Sequence, residues 1–298
     1  MKKIFPLFVL LLIIGVGLTA CGGGDTGEDL LEVIKERGYL VVSTDANYEP
    51  QSFLDPTAER VAGTVCPNDM LTYGEMIGFD VDSAKAVAEG LGVEVCFATP
   101  DWDLVTAGSW GDRWDISIGS MTITKTRQKA LDFAQPYYYT PAQFAAGSDA
   151  GITSLDDLEG ETICIASATT YLDWFNGELT IPDESILVDP PSDFTLVELP
   201  TDQECAQAIA AGRPEFSVYL TSDTVVNSNM AGGLDVVKVG PVVFIEELAP
   251  SIDKSSSYDT ASFISEVNDV LMGLHANGTL SRFSMEWFDE IDLTRDPR

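Results

Sequence analysis

Apolar and polar positions along this chain fall into blocks that alternate between helical and strand spacing. Leu30 to Gly38 (LLEVIKERG) has the pattern of a short amphipathic helix, and Tyr39-Leu-Val-Val-Ser is an apolar run that predicts a buried strand ending at Thr44-Asp45. Tyr48 and Phe53 follow on a loop, and residues 55–76, with Pro56, Cys66 and Pro67, read as an irregular excursion. Phe79, Ala84, Val87, Ala88 and Leu91 recur at helical spacing, and Gly90 and Gly92 close that helix. Val93 to Phe97 reads as a strand, Trp102 to Ser109 as a helix, and Trp114 to Ile118 as a strand stopping at Gly119. This order predicts a mainly parallel sheet covered on both faces.

The pattern then restarts. Leu155 to Gly160 is a short helical turn, Thr162 to Ala166 a strand, and Ser167-Ala-Thr-Thr opens a helix at Tyr171. Thr195 to Leu199 reads as a strand, Asp202 to Ala211 as a helix, and Phe216 to Leu220 as a strand ending at Thr221-Ser222-Asp223. This is a second α/β unit of about 100 residues. From about Pro241 no strong third unit follows. Phe263, Val267, Val270, Leu271 and Leu274 form an apolar helical stripe that reads as core, Asn277-Gly278 ends it, and a last helix runs through Phe283 and Trp287.

The first twenty residues have a different character. Lys2 and Lys3 precede the almost wholly apolar Ile4 to Gly17, and Leu18-Thr19-Ala20-Cys21 matches the cleavage site of a bacterial lipoprotein signal. On that reading residues 1–20 are removed, Cys21 carries acyl chains, and the Gly-rich stretch from 21 to 29 is a flexible tether. A retained membrane anchor is the alternative. The apolar run is too short for a convincing spanning helix.

Composition narrows the partners. The 298 residues carry 48 acidic and 16 basic side chains, a net charge of −32, and loss of Lys2 and Lys3 takes the mature chain to −34. Such a surface repels nucleic acid and anionic lipid. The acids are spread along the whole chain, which fits solubility in salt better than one cationic docking patch. Four cysteines remain besides Cys21: Cys66, Cys96, Cys164 and Cys205. None forms a C-x-x-C pair and His275 is the sole histidine, so no metal site is expected and no cofactor is called for. An exported chain permits disulfides, and four cysteines allow three pairings.

Chemistry concentrates in residues 114–139, WDISIGSMTITKTRQKALDFAQPYYY. Past the strand end at Gly119 come the hydroxyls Ser120, Thr122, Thr124 and Thr126, then Arg127. A guanidinium presents a planar fork of donors that matches a carboxylate. Ligands of open α/β sheets sit at the carboxyl ends of strands, where Asp45, Ser120 and Thr122 fall. The opening of the helix at Tyr171, with Thr169 and Thr170, is a second candidate for an anion, or an ordinary N-cap.

The blocks TDANYEPQSF, IGFDVDSAKAVAEGLG, WDISIGSMTITKTRQKALDFAQPYYY, ASATT and HANGTLSRFSMEWF together resemble the extracellular solute-binding proteins of family 3, over roughly residues 30–290. The resemblance implies a type II periplasmic-binding fold. Two α/β lobes, residues 30–140 with 242–298 and residues 141–241, would be joined by two hinge strands and close over a solute. Keeping each cysteine pair inside one lobe then favours Cys66–Cys96 and Cys164–Cys205. The family's roles imply that Arg127 holds the carboxylate of a free amino acid, assisted by Thr122, the backbone at Ser120 and Thr170. Tyr48 would stack on the ligand and Asp45 would read its side chain. The ammonium acid falls on Ser222 or Asp223, with Asp223 the choice. Ala168 stands where the family has glycine, Gln51 where many members have phenylalanine, and the 55–76 excursion is longer than usual.

The leading expectation is a lipid-anchored extracytoplasmic monomer that passes an amino acid, polar or cationic, to the permease subunits of an ABC importer. Two other classes stand beside it. Some relatives are dehydratases of a cyclic prephenate-type acid, but an enzyme needs a placed general acid or base, and no histidine-based pair exists here. A sensor ectodomain would require a retained membrane segment and a signalling domain.

Overall fold

A computed structural model of the chain describes residues 27–213 and 215–298. The signal segment, Cys21 and most of the tether lie outside these residues. Asp29, at the tether's end, is already docked: its carboxylate caps the first helix through the Glu32 N–H at 3.2 Å and accepts from Ser262 Oγ at 2.8 Å.

The first unit begins with α1 (Leu30–Arg37) and β1 (Tyr39–Ser43), then the short β2 (Asn47–Tyr48), β3 (Ser52–Leu54), β4 (Leu71–Thr72) and β5 (Met76–Ile77). It continues with α2 (Phe79–Leu91), β6 (Glu94–Ala98), α3 (Trp102–Ala107), β7 (Ile116–Ser117) and β8 (Leu131–Phe133). The second unit holds β9 (Tyr138–Gly147), β10 (Thr162–Ala166), α4 (Thr170–Phe175), β11 (Thr195–Leu199), α5 (Asp202–Ala210), β12 (Val218–Ser222), α6 (Asp223–Ala231) and β13 (Val236–Leu248). The chain returns to the first unit for β14 (Ser251–Asp253), α7 (Ala261–Ala276) and α8 (Thr279–Trp287).

One sheet has the order β4-β6-β1-β7-β14-β8 and the other β11-β10-β12-β9-β13; β2, β3 and β5 make a small third sheet. The parallel cores expected from the sequence are β6-β1-β7 and β11-β10-β12. Each is extended by antiparallel strands: β14 and β8 on the first sheet, β9 and β13 on the second. The sheets are therefore mixed. The reason is the double crossing, since β9 and β13 pair with each other over 138–248 and leave the second sheet side by side.

Each unit closes its own core. Leu40, Val42, Phe97 and Ile116 of the first sheet pack on Phe79, Val87 and Leu91 of α2 and on Phe263, Val267 and Leu271 of α7. The predicted C-terminal stripe is thus core. In the second unit Ile163, Ile165, Val218 and Phe244 pack with Trp174 and Phe175 on one face, and Cys164, Cys205, Ile209 and Tyr219 pack on the other. Cys66–Cys96 ties the 55–76 excursion to β6, and Cys164–Cys205 ties β10 to α5, the pairing expected. Among the described residues no helix is long and apolar enough to cross a membrane.

Candidate functional site: a cleft between the two units

The strand ends of both units meet around a cavity of about 490 Å³, part of it open to solvent. Local backbone shape brings the first unit's residues into it. Gly119 follows β7 so closely against β1 that a Cβ there would lie 3.2 Å from Thr44 Cα. Ser120 then turns into the left-handed region, φ +59°. Its polar atoms face the protein rather than the cavity: its N–H donates to Tyr137 Oη at 2.9 Å, and its hydroxyl donates to Asp80 Oδ2 at 2.7 Å. Tyr137 also donates to Asp80 Oδ1 at 2.6 Å. Asp80, fully buried beneath the site, has its carboxyl pushed up to about 7 by burial, against the pull of these donors.

Arg127 opens a single 3₁₀ turn whose N–H is held by Thr124 Oγ1 at 3.0 Å, so Thr124 serves the arginine rather than a ligand. The guanidinium is buried. Nη1 donates to the Thr122 carbonyl and Nη2 to the Ala168 carbonyl, each at 3.2 Å, and its carbon lies 5.6 Å from the Trp102 ring centroid. Burial works against its charge, while Glu246 and Asp173 support it. Trp102 Nε1 donates to the same Ala168 carbonyl at 3.2 Å. Alanine at 168 thus keeps the left-handed turn of a glycine, φ +58°, at a cost of about 1–2 kcal/mol, and presents its carbonyl across the cleft.

Glu246 lies at the centre. It belongs to β13, whose alternation puts Phe244, Glu246 and Leu248 on one buried face. Its carboxylate accepts from Thr122 Oγ1 at 2.6 Å, Thr170 Oγ1 at 2.5 Å and Tyr171 Oη at 3.0 Å. Burial raises its carboxyl, and these three donors and Arg127 oppose that rise. The helix start at Thr170 satisfies both readings of the sequence: Thr169 caps Leu172 N–H at 3.4 Å, and Thr170 reaches into the cleft.

Asp202, first residue of α5, also lines the cavity. It is 7% exposed and its Oδ1 has no hydrogen-bond partner among the described residues. Burial, reinforced by Asp45 across the cleft, pushes its carboxyl up to about 7. Asp45 is likewise raised by burial, although the Asn47 N–H holds one oxygen at 2.7 Å. Further hydrogen bonds draw the units together. Tyr48 Oη donates to Ser222 Oγ at 3.1 Å, and Gln51 Nε2 donates to Thr224 Oγ1 at 2.5 Å.

Six of the seven sequence-based ligand candidates therefore share the cleft: Asp45, Tyr48, Ser120, Thr122, Arg127 and Thr170. Asp223 does not. It begins α6, pairs with Lys238 Nζ at 2.5 Å and accepts from Asn227 at 3.0 Å, in a different hollow beside Trp287. The strand's alternation turns Ser222 inward and Asp223 away. Sequence reasoning missed Trp102, Tyr171, Asp202 and Glu246. The one available signal was Glu246, an acid in phase with Phe244 and Leu248; an acid at Asp202 is what any helix start favours.

The two buried acids near pH 7 set a direction for stability. Asp80 and Asp202 have folded values of about 7 against 3.8 for the ordinary carboxyl. The folded state thus holds more protons between those values, and their stabilising contribution is lost as pH rises through about 7. Each adds at most about 1.4 kcal/mol of loss per pH unit. Chemical unfolding of the ligand-free protein is expected to show falling stability from pH 5 to pH 8, with a shallower fall in Asp202→Asn. An unchanged slope in that variant would contradict the assignment.

Two α/β units closing a buried arginine and several acids between their strand ends define a two-lobed solute-binding protein with the type II periplasmic-binding fold. The chain belongs to the bacterial extracellular solute-binding proteins, family 3, whose family model matches residues 40–290. The L-cystine-binding protein TcyJ of Escherichia coli (strain K12) is 26% identical over 278 residues, 90% of this chain and 89% of the relative. The arginine-binding extracellular protein ArtP of Bacillus subtilis (strain 168) is 24% identical over 290 residues, covering 97% and 98%. Both are named as binding proteins. The crystal structure of the ancestral amino acid-binding protein AncCDT-1, a precursor of cyclohexadienyl dehydratase, superposes with a TM-score of 0.69 at 27% identity, over 87% of this chain and 99% of that one.

Proposed function

We propose that the chain captures a free amino acid outside the cytoplasm and hands it to an ABC permease, acting as a monomeric receptor and not as an enzyme. The observation that carries this reading is Arg127, a buried guanidinium at the cleft with the hydroxyls of Thr122 and Thr170 beside it. A ligand carboxylate matches its fork, and an adjacent ammonium matches Glu246, next to Arg127 on the same wall. The names of TcyJ and ArtP point the same way.

The test is a thermal-shift scan of the twenty amino acids and L-cystine. A ligand at a hundred times its Kd stabilises the folded state by about 2.7 kcal/mol, so the true ligand raises the melting point while most others leave it unchanged. No stabilisation by any of them sinks the reading. Anchoring through Cys21 is part of the same proposal and rests on Leu18-Thr19-Ala20-Cys21. Cys21→Ala protein should appear in the soluble extracytoplasmic fraction or as uncleaved precursor. Mature, membrane-bound variant protein would contradict the anchor.

A further inference from the structure

Resting on the amino-acid reading, we infer that Asp45 and Asp202 form a seat for a cationic side chain, so that the captured amino acid is dibasic.

The charged groups of the cleft follow an order. Arg127 has Glu246 as its nearest acidic influence within the cleft; Asp202 feels Asp45 first and Glu246 next. The sequence across the cavity is one positive group, then Glu246, then the Asp202–Asp45 pair. Glu246 is furnished with three hydroxyl donors and the arginine. The aspartate pair has nothing comparable. Asp202 Oδ1 is buried without a partner, and among the described residues Arg127 is the one basic side chain that lines the cavity.

Two carboxylates from opposite walls repel each other and lose hydration, a cost that a cation lodged between them reverses. The complementary ligand carries a carboxylate, an ammonium on the neighbouring position and a second cation further along. A dibasic α-amino acid has these charges in that order. A neutral side chain leaves the aspartates uncompensated, and an acidic one adds a third negative charge. Room exists for length. Asp45, Trp102, Pro200 and Thr201 are shared with an outer hollow of about 970 Å³, largely open to solvent, which also holds Asp101 and Asp103. Asp202 reaches this place because Thr201 caps α5 through Glu204 N–H at 3.2 Å, while Cys164–Cys205 binds the same helix to β10.

Calorimetric titration with L-arginine and L-citrulline, which match in length and differ in side-chain charge, tests the seat. Wild-type protein is expected to bind arginine about 10- to 100-fold more tightly than citrulline, the weight of one charge-assisted contact. Asp202→Asn should shrink that ratio to within about threefold, with citrulline affinity little changed. Asp45→Asn, made on the other unit, should act in the same direction and serves if Asp202→Asn does not fold. Equal affinity for the two ligands in wild type, or an undiminished ratio in a folded variant, overturns the seat while leaving the amino-acid reading standing. Tight binding of neutral amino acids or cystine with no binding of arginine or lysine overturns the seat alone. Failure of every free amino acid to bind overturns both.

Discussion

Arg127→Ala is expected to weaken binding of the identified amino acid by at least about 100-fold, because two losses coincide. The charge-assisted contact to the ligand carboxylate is worth about 1.5–3 kcal/mol net, a factor of about 10–100. Truncation also strips Glu246 of its nearest counter-charge and leaves a buried carboxylate beside the incoming ligand carboxylate. The guanidinium has a mechanical part as well. Its bond to the Ala168 carbonyl crosses the cleft, so the variant should close less readily. Arg127→Lys keeps the charge but not the planar fork and should fall between wild type and alanine. Titration calorimetry on folded protein decides it. Wild-type affinity in Arg127→Ala would remove the central residue of the site.

Phe79→Ala should be the most damaging core substitution, costing about 3–5 kcal/mol of the first unit's stability. Phe79 opens α2 and is fully buried. Its ring centroid lies 4.8 Å from Tyr138, 4.9 Å from Phe288 and 5.7 Å from Tyr137, so one side chain joins α2, the entry to β9 and the end of α8. The next residue is Asp80, which holds Ser120 and Tyr137, and a cavity beneath it would loosen the floor of the cleft. Denaturant unfolding monitored in Phe79→Ala and Phe79→Leu would test this. The leucine variant keeps most of the volume and should lose clearly less. A cost below about 1 kcal/mol in the alanine variant would mean that this ring cluster is not what holds the three segments together.

The elements legible in the sequence were those whose pattern is local. The amphipathic spacing of α2 and α7, the apolar runs of β1 and β10, and the glycines that end α1 and α2 all report forces within a few residues. Boundaries moved by a residue or two, with consequence at one place. The strand expected to end at Leu220 runs on through Ser222, so Ser222 caps α6 and Asp223 faces Lys238. The long β9 and β13 went unread because their pairing is with each other, about a hundred residues apart, and their polar residues sit on buried positions that only the partner strand explains.

The same division holds for the site. The chain by itself determined Arg127 and its hydroxyls, since a strand end followed by Gly119, Ser120 and Thr122 must place them at the sheet's ligand-binding edge. It determined the cysteine inventory and the acidic surface. Which acids meet the arginine was decided only by tertiary structure. Glu246 comes from the return strand, Asp202 from the start of α5 and Asp45 from the end of β1, and nothing in their own neighbourhoods distinguishes them from the other acids among the 48. Burial and opposition across a cleft are properties of two surfaces brought together, and a pattern read along one chain carries neither.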